Sequence, residues 1–305
     1  MILVTGATGG IGGALLSELR AAGDEPVRGL ARDLTRASFP AGAEAVEGDL
    51  AEPVSLKPAF EGVRAMFYLS RFGPDREIIA AARAAGVRQV VLVSSITVLT
   101  HPWLGPAAEN AAVERMVEDS GMEWTVLRPT QFASNTLMWA DAIRAGHPVE
   151  VPFADIGLPT IHPADIAAVA RVALTDRAHR GQTYALTGPA RISPREQVAA
   201  IAAELGREIE VVEIGREQAR ARMVEVFGAE AADAVLDVTG GDVNDELLRV
   251  RDTVQRLTGN AGRTYRRWVA ENAEAFRCFA RAGLDEPGTA TANRRISGRG
   301  RRRRR

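Results

Sequence analysis

The sequence predicts an α/β protein, a doubly wound parallel sheet followed by a small, mostly helical C-terminal region. Three observations predict it. Short β-branched runs alternate with alanine-rich, helix-period stretches through the first 130 of 305 residues. Glycines close several of those helical stretches, at Gly23, Gly86 and Gly121. Three further glycines, Gly6, Gly9 and Gly12, stand at even spacing between the first strand and the first helix. Strands and helices alternating at this pace require right-handed crossovers and therefore a parallel sheet.

The elements read in order. Residues 2–5 form a buried strand, 11–22 a helix, and 27–31 a second strand. A short third strand covers 45–47, and a fourth covers 65–69. Residues 75–85 are helical, and 89–94 (Gln-Val-Val-Leu-Val-Ser) is the most strand-like run of the chain. A helix over 107–120 leads into a sixth strand at 123–127. After Arg128-Pro129 the pattern loosens. Helices are predicted over 131–145 and 165–174, the latter with Asp165 as N-cap, and a strand over 182–186. A helix over 194–205 has Ser193 as N-cap and Pro194 at its first position. Residues 208–214 read as a strand, and 217–282 as mostly helical with a break at Gly240-Gly241. The expected division is a nucleotide-binding core over 1–130, a substrate-binding cap over 131–285 with strands returning to the sheet, and a basic tail over 286–305.

Composition narrows the function classes. The chain has 46% hydrophobic and 25% charged residues, enough to bury a core without staples. One cysteine, Cys278, rules out an internal disulfide framework and suits a reducing compartment, so a cytoplasmic protein is expected. The start shows no signal peptide, and no run approaches the roughly 20 apolar residues of a membrane span. The net charge of −1 hides an asymmetry, because Arg294–Arg305 carries eight of the 38 basic residues and no acid. The body is therefore acidic, which argues against a nucleic-acid partner, and the tail reads as a solvated, disordered end. Four dispersed histidines and one cysteine offer no metal spacing.

The strongest motif is the turn Thr5-Gly6-Ala7-Thr8-Gly9-Gly10-Ile11-Gly12 between a buried strand and an amphipathic helix. Gly6 permits the tight turn, Gly9 lets a pyrophosphate approach the backbone, and Gly12 lets the helix sit close on the strand. The helix start, through Thr8, Gly9, Gly10 and Ile11, offers unpaired N–H donors to phosphates. This predicts a bound dinucleotide. At the end of the second strand, Arg32 and Arg36 can pair with a 2′-phosphate, which favours NADP(H) over NAD(H). The other reading leaves both arginines solvated and gives the ribose to Asp33. Gly48-Asp49-Leu50 suits an adenine edge, although Asp49 also fits a turn cap. Leu69 and Ser70 after the fourth strand, Ser94 after the fifth and Pro129 after the sixth belong with the same site.

Together these residues resemble the NmrA-like branch of the atypical short-chain dehydrogenases. The resemblance rests on Thr5–Gly12, Gly48-Asp49-Leu50, Val93-Ser94-Ser95, and Ser120-Gly121 leading into Trp124-Thr125-Val126-Leu127-Arg128-Pro129. It continues in Asp165-Ile166-Ala167, Tyr184-Ala185-Leu186-Thr187-Gly188-Pro189 and Leu205-Gly206-Arg207. It covers most of residues 1–280 and implies an extended Rossmann fold that binds NADP(H). The segment from His101-Pro102-Trp103-Leu104-Gly105-Pro106 to Ser120 looks most like the quinone-reductase members.

The usual Tyr-x-x-x-Lys pair is missing. The single lysine is Lys57, and none of Tyr68, Tyr184 and Tyr265 has a lysine four residues on. Alignment on Ser120-Gly121 places Asn110 at the lysine position and Pro106 at the tyrosine position. This argues against tyrosine-assisted oxidation of an alcohol. A quinone, azo group or activated enone accepts hydride without such an acid, so the enzyme can act mostly by positioning. Ser94 and His101 are the candidate catalytic residues, with Ser95 and Thr97 beside them; strand-end capping explains the hydroxyls equally well. His162 suits a structural role. Trp103, Phe132, Asn135 and Trp139 are candidate substrate contacts for a flat acceptor, and helix packing of the last three is the competing account. The expected function is NADPH-dependent reduction of a planar electrophilic small molecule. The alternative is a non-catalytic NADP(H)-binding redox sensor acting on a protein partner, and a homodimer is compatible with either.

Overall fold

The computed structural model describes residues 1–23, 25–70 and 73–277. Cys278 and the arginine-rich tail over 286–305 lie outside the described residues. Nine strands are described: β1 (Ile2–Val4), β2 (Val27–Ala31), β3 (Glu44–Glu47), β4 (Ala65–Leu69), β5 (Gln89–Val93), β6 (Glu123–Pro129), β7 (Val149–Val151), β8 (Gln182–Leu186) and β9 (Val211–Glu213). Seven of them form one sheet in the order β3-β2-β1-β4-β5-β6-β8. Every neighbouring pair is parallel, with Val4 opposite Phe67 and Val93 opposite Leu127. The strand order reverses direction between β1 and β4, which opens a crevice at their C-terminal ends.

Both faces of the sheet are covered, which is why the central strands read as continuous apolar runs rather than alternating ones. On one face the helices Gly10–Ala22 and Pro163–Thr175 bring Leu15, Leu16, Leu19, Ile166 and Val169 onto Val4, Phe67 and Val91. On the other, Asp75–Ala84 and Gly105–Glu118 bring Ile78, Ile79, Val113 and Val117 onto Leu3, Met66, Val90 and Leu92. Each such side chain contributes about 1.5–3 kcal/mol when fully buried. The α/β doubly wound sheet expected from the sequence is therefore the observed fold.

The region after β6 departs from expectation in detail. Residues 131–145 are not one α-helix. A 3-10 segment, Ala133–Trp139, precedes the α-helix Ala140–Ala145. The chain enters it from a bridge between Phe132 and Ile161, and Thr136 Oγ1 donates to the Ala133 carbonyl three residues back. The helix after it begins at Pro163, not Asp165. Its N-cap is His162, whose Nδ1 accepts the Ala164 N–H, while Asp165 is buried and takes the backbone N–H (2.7 Å) and guanidinium (2.6 Å) of Arg263. Ser193 does cap Pro194–Leu205, in a reciprocal box with Glu196. β9 is shorter than the predicted strand and pairs in parallel with β7 in a separate two-stranded sheet. Tyr265, Trp268 and Phe276 pack with Ile143, Val149 and Ile201 in a second core beneath it, with Trp139 against its side. The break falls at Gly240, where any Cβ would collide with the Phe153 ring. Among the described residues no helix is long and apolar enough to cross a membrane.

Candidate active site

The glycine turn leaves β1 at Thr5. Gly6 has φ +61°, the left-handed region where glycine is favoured, and its carbonyl accepts the Gly9 N–H at 2.9 Å. A Cβ at Gly12 would collide with that same carbonyl and lie 2.9 Å from Ala7 Cα. The helix Gly10–Ala22 thus approaches β1 as closely as a backbone can. No side chain caps the helix start, and Thr8, Gly9 and Gly10 are exposed there. Its first-turn N–H groups remain available to an anion. Ile11 faces the core instead, so its contribution to a ligand is its backbone.

Arg32 and Arg36 are exposed beyond β2, and neither has an ion-pair partner among the described residues. Asp33 is engaged locally. Its carboxylate accepts the hydroxyl (2.6 Å) and N–H (2.9 Å) of Thr35, and these bonds hold it below its ordinary acidity range. After β3, Asp49 Oδ1 accepts the Ala51 N–H, so the residue caps its own turn, with half-buried Leu50 beside it.

A cavity of about 310 Å³ opens at the C-terminal ends of β4, β5 and β6. Leu69, Ser70, Ser94, Ser95, Thr97, Pro129, Phe132 and Asn135 line it, so eight of the residues singled out from sequence come together there. Leu69 joins it to the glycine turn: its Cδ2 lies 3.3 Å from where a Gly6 Cβ would be, and its N–H donates to Thr5 Oγ1. Asn110, at the family's lysine position, is also in the wall; its amide nitrogen donates to the Pro106 carbonyl at 2.8 Å.

Three other predicted residues lie outside the cavity wall. His101 is fully buried, with Nδ1 2.8 Å from Thr100 Oγ1 and Nε2 2.6 Å from the Asp242 carbonyl. With both ring nitrogens engaged, it ties its loop to the segment after Gly241 and has no nitrogen to offer a substrate. Trp103 packs against that ring, 5.3 Å between centroids, and is otherwise 65% exposed to solvent. Trp139 belongs to the helical core. Helix packing, the competing account for Trp139, describes that position.

Sequence reasoning missed Glu114, Arg128 and Thr130. Glu114 is buried, accepts the Ser94 hydroxyl, and is held by Arg128 through Nε (2.9 Å) and Nη2 (2.5 Å). The signal was the i,i+4 spacing of Asn110 and Glu114, which puts both on one helix face. Thr130 also lines the cavity, buried, with a hydroxyl that has no partner among the described residues. No spacing announces such a residue.

A model of the NAD(P)H-binding family matches residues 6–177. The chain belongs to that family. Over 286 residues, 90% of this chain and 99% of the relative, it is 40% identical to the (4-alkanoyl-5-oxo-2,5-dihydrofuran-3-yl)methyl phosphate reductase of Streptomyces griseus subsp. griseus. It is 36% identical to the NAD(P)H azoreductase of Xenophilus azovorans over 290 residues, again covering 90% and 99%. Among solved structures, the NADPH-dependent quinone oxidoreductase of Escherichia coli, complexed with NADPH, superposes with a TM-score of 0.73. That pair shares 26% identity over 90% of this chain and 99% of the other. The resemblance to NmrA-like atypical short-chain dehydrogenases holds, and this member of the NAD(P)H-binding family is an NAD(P)H-dependent oxidoreductase.

The residues present fit that cofactor. Gly12 lets the helix start close on the turn, where any Cβ would meet the Gly6 and Ala7 backbone, uncapped N–H groups are exposed at that start, and Thr130 in the cavity wall has a hydroxyl without a partner among the described residues. Gly6–Gly12 would hold the pyrophosphate, and the cavity would take the nicotinamide, which supplies hydride when bound.

Proposed function

We propose that this protein transfers hydride from NADPH to a planar, conjugated electrophile such as a quinone, an azo compound or an activated enone. The observation that carries the reading is the composition of the cavity wall. It is apolar at Leu69, Val93, Ile96, Phe132 and Leu158, and its polar lining consists of hydroxyls and amides. Among the described residues of the wall there is no tyrosine or lysine. Tyr68 is buried and donates to Asp75, Tyr265 donates to Thr136, and Tyr184 bonds His179. Burial pushes the first two well above the ordinary tyrosine range. The wall therefore positions an acceptor rather than delivering a strong acid. Acceptors whose conjugation spreads the incoming charge need nothing more, and solvent supplies the proton that completes the reduction. The names of the similar reductases point the same way: a ring C=C conjugated to carbonyls, an N=N bond and a quinone are all conjugated two-electron acceptors.

Preference for NADP(H) rests on Arg32 and Arg36, exposed and without an ion-pair partner among the described residues, beside an Asp33 already engaged by Thr35. Phe132 and Asn135 are the contacts we assign to the acceptor, the ring to its flat face and the amide to a polar substituent. The test is absorbance at 340 nm with NADPH and a panel of quinones, azo dyes and conjugated furanones, with Gly9→Asp as control. Consumption that requires both an acceptor and the intact turn is expected. Tight NADPH binding with no consumption across the panel would overturn the reductase reading in favour of a redox sensor.

A further inference from the structure

Ser94 directly follows β5 in the cavity wall, and its hydroxyl donates to Glu114 Oε1. A hydroxyl has one proton, so what Ser94 presents to the cavity is lone pairs. Glu114 is held in place from the far side by Arg128, on β6 one residue before Pro129 of the wall. A carboxylate only accepts, so in this bond it is the serine that donates. The pair is buried, Glu114 almost completely, and a buried carboxylate stripped of these donors would be costly, which fixes the arrangement. Asn110, one helical turn before Glu114, gives one amide N–H to the Pro106 carbonyl and keeps its second N–H and its carbonyl oxygen. At Ser94 the wall therefore presents an acceptor.

We propose that Glu114 and Arg128 are positioning residues that lock Ser94 as a hydrogen-bond acceptor for the nicotinamide half of the cofactor, through its carboxamide N–H or a ribose hydroxyl. The proposal rests on reading the cavity as the nicotinamide end of the site. It also removes Ser94 as the donor to an acceptor's carbonyl oxygen, because a carbonyl placed there would meet lone pairs. Ser94 is thereby assigned to holding the cofactor, and the substrate oxygen must be met elsewhere in the wall.

The test reads binding of NADPH to the full chain by titration calorimetry, so it needs no acceptor. Ser94→Ala and Glu114→Gln should each weaken NADPH about five- to tenfold, the size of one hydrogen bond. The double variant should be no weaker than the worse single, because both remove the same bond. The acetylpyridine analogue, which lacks the carboxamide N–H, separates the two donors. If the carboxamide donates, wild type prefers NADPH to the analogue and Ser94→Ala erases the preference. If a ribose hydroxyl donates, Ser94→Ala weakens both equally. Additive losses in the double variant would overturn the proposal. Should Glu114→Gln fail to fold, Ser94→Ala still decides, since it leaves the Glu114–Arg128 pair intact: unchanged NADPH affinity in that variant overturns the proposal alone. A wild-type chain that binds no NADPH is a different result, and overturns the functional reading itself.

Discussion

His162 donates from Nε2 to Glu271 Oε2 at 3.1 Å, because its other ring nitrogen is occupied as the acceptor for the Ala164 N–H. The ring is therefore neutral while it caps the helix Pro163–Thr175, whose first residue, Pro163, packs against Gly10 of the phosphate turn. Burial lowers the His162 pKa, against the opposing pull of Glu271 and Asp165, while Arg263 adds to the lowering.

The sign of the pH effect follows. Below the ordinary imidazole value of about 6.5 the unfolded chain takes up a proton that the folded ring resists. This contribution to stability is full above that value and declines as pH falls towards the lowered folded one. The slope from one group cannot exceed about 1.4 kcal/mol per pH unit. His162→Asn keeps a capping acceptor and removes the titration. Urea melts of the two proteins should diverge in slope as pH falls below about 6.5; parallel curves would show that His162 does not titrate differently on folding.

Gly12→Ala and Gly13→Ala, adjacent in one helix, should behave oppositely. A Cβ at Gly12 has backbone atoms of Gly6 and Ala7 in its way, so strand and helix must separate, at a cost of about 1–3 kcal/mol. A Cβ at Gly13 meets only the Ala7 carbonyl oxygen at 3.4 Å, and alanine gains up to about 1 kcal/mol as a better helix former. Thermal melts should show a large drop for the first and little change or a gain for the second. NADPH affinity should fall with Gly12→Ala, because the donors at the helix start move with it.

Arg32→Ala should weaken NADPH by about 1.5–3 kcal/mol through loss of a charge-assisted bond, and leave NADH binding nearly unchanged. Arg36→Ala should act in the same direction. The loss should shrink at high salt, since both side chains are exposed. Titrations of both cofactors against both variants check it. Equal losses for NADPH and NADH would assign the arginines to something other than the 2′-phosphate.

The parts of this architecture that were legible in the sequence are those governed by local rules. The apolar strands, the glycine turn and the Ser193 capping box each announce themselves within a dozen residues. What was illegible depends on contacts between distant segments. Asp165 has a cap's sequence position but faces Arg263, 98 residues on. β7 and β9 recognise each other across sixty residues, and three-residue strands carry too little pattern to be seen. In the site, the cofactor turn was plain, whereas Glu114 looked like any charged helix residue until β6 placed Arg128 beside it.

His101 provides the last test, because position in the sequence suggested a proton donor and the fold gives it a structural duty. Its ring bridges Thr100 and the Asp242 carbonyl, and Asn244 Nδ2 also reaches back to the Thr100 carbonyl, so the loop after β5 is stitched to the segment that carries Leu247 of the cavity wall. His101→Phe removes both ring bonds in a fully buried place and leaves the Asp242 carbonyl unpaired, a loss of about 1–3 kcal/mol. The melting temperature should fall, while kcat measured well below it stays within about twofold and its pH profile keeps its shape. A general acid would give the reverse pattern, a kcat lower by a factor of about 100 or more with a changed pH profile. A large loss of kcat without loss of stability would return His101 to the chemistry.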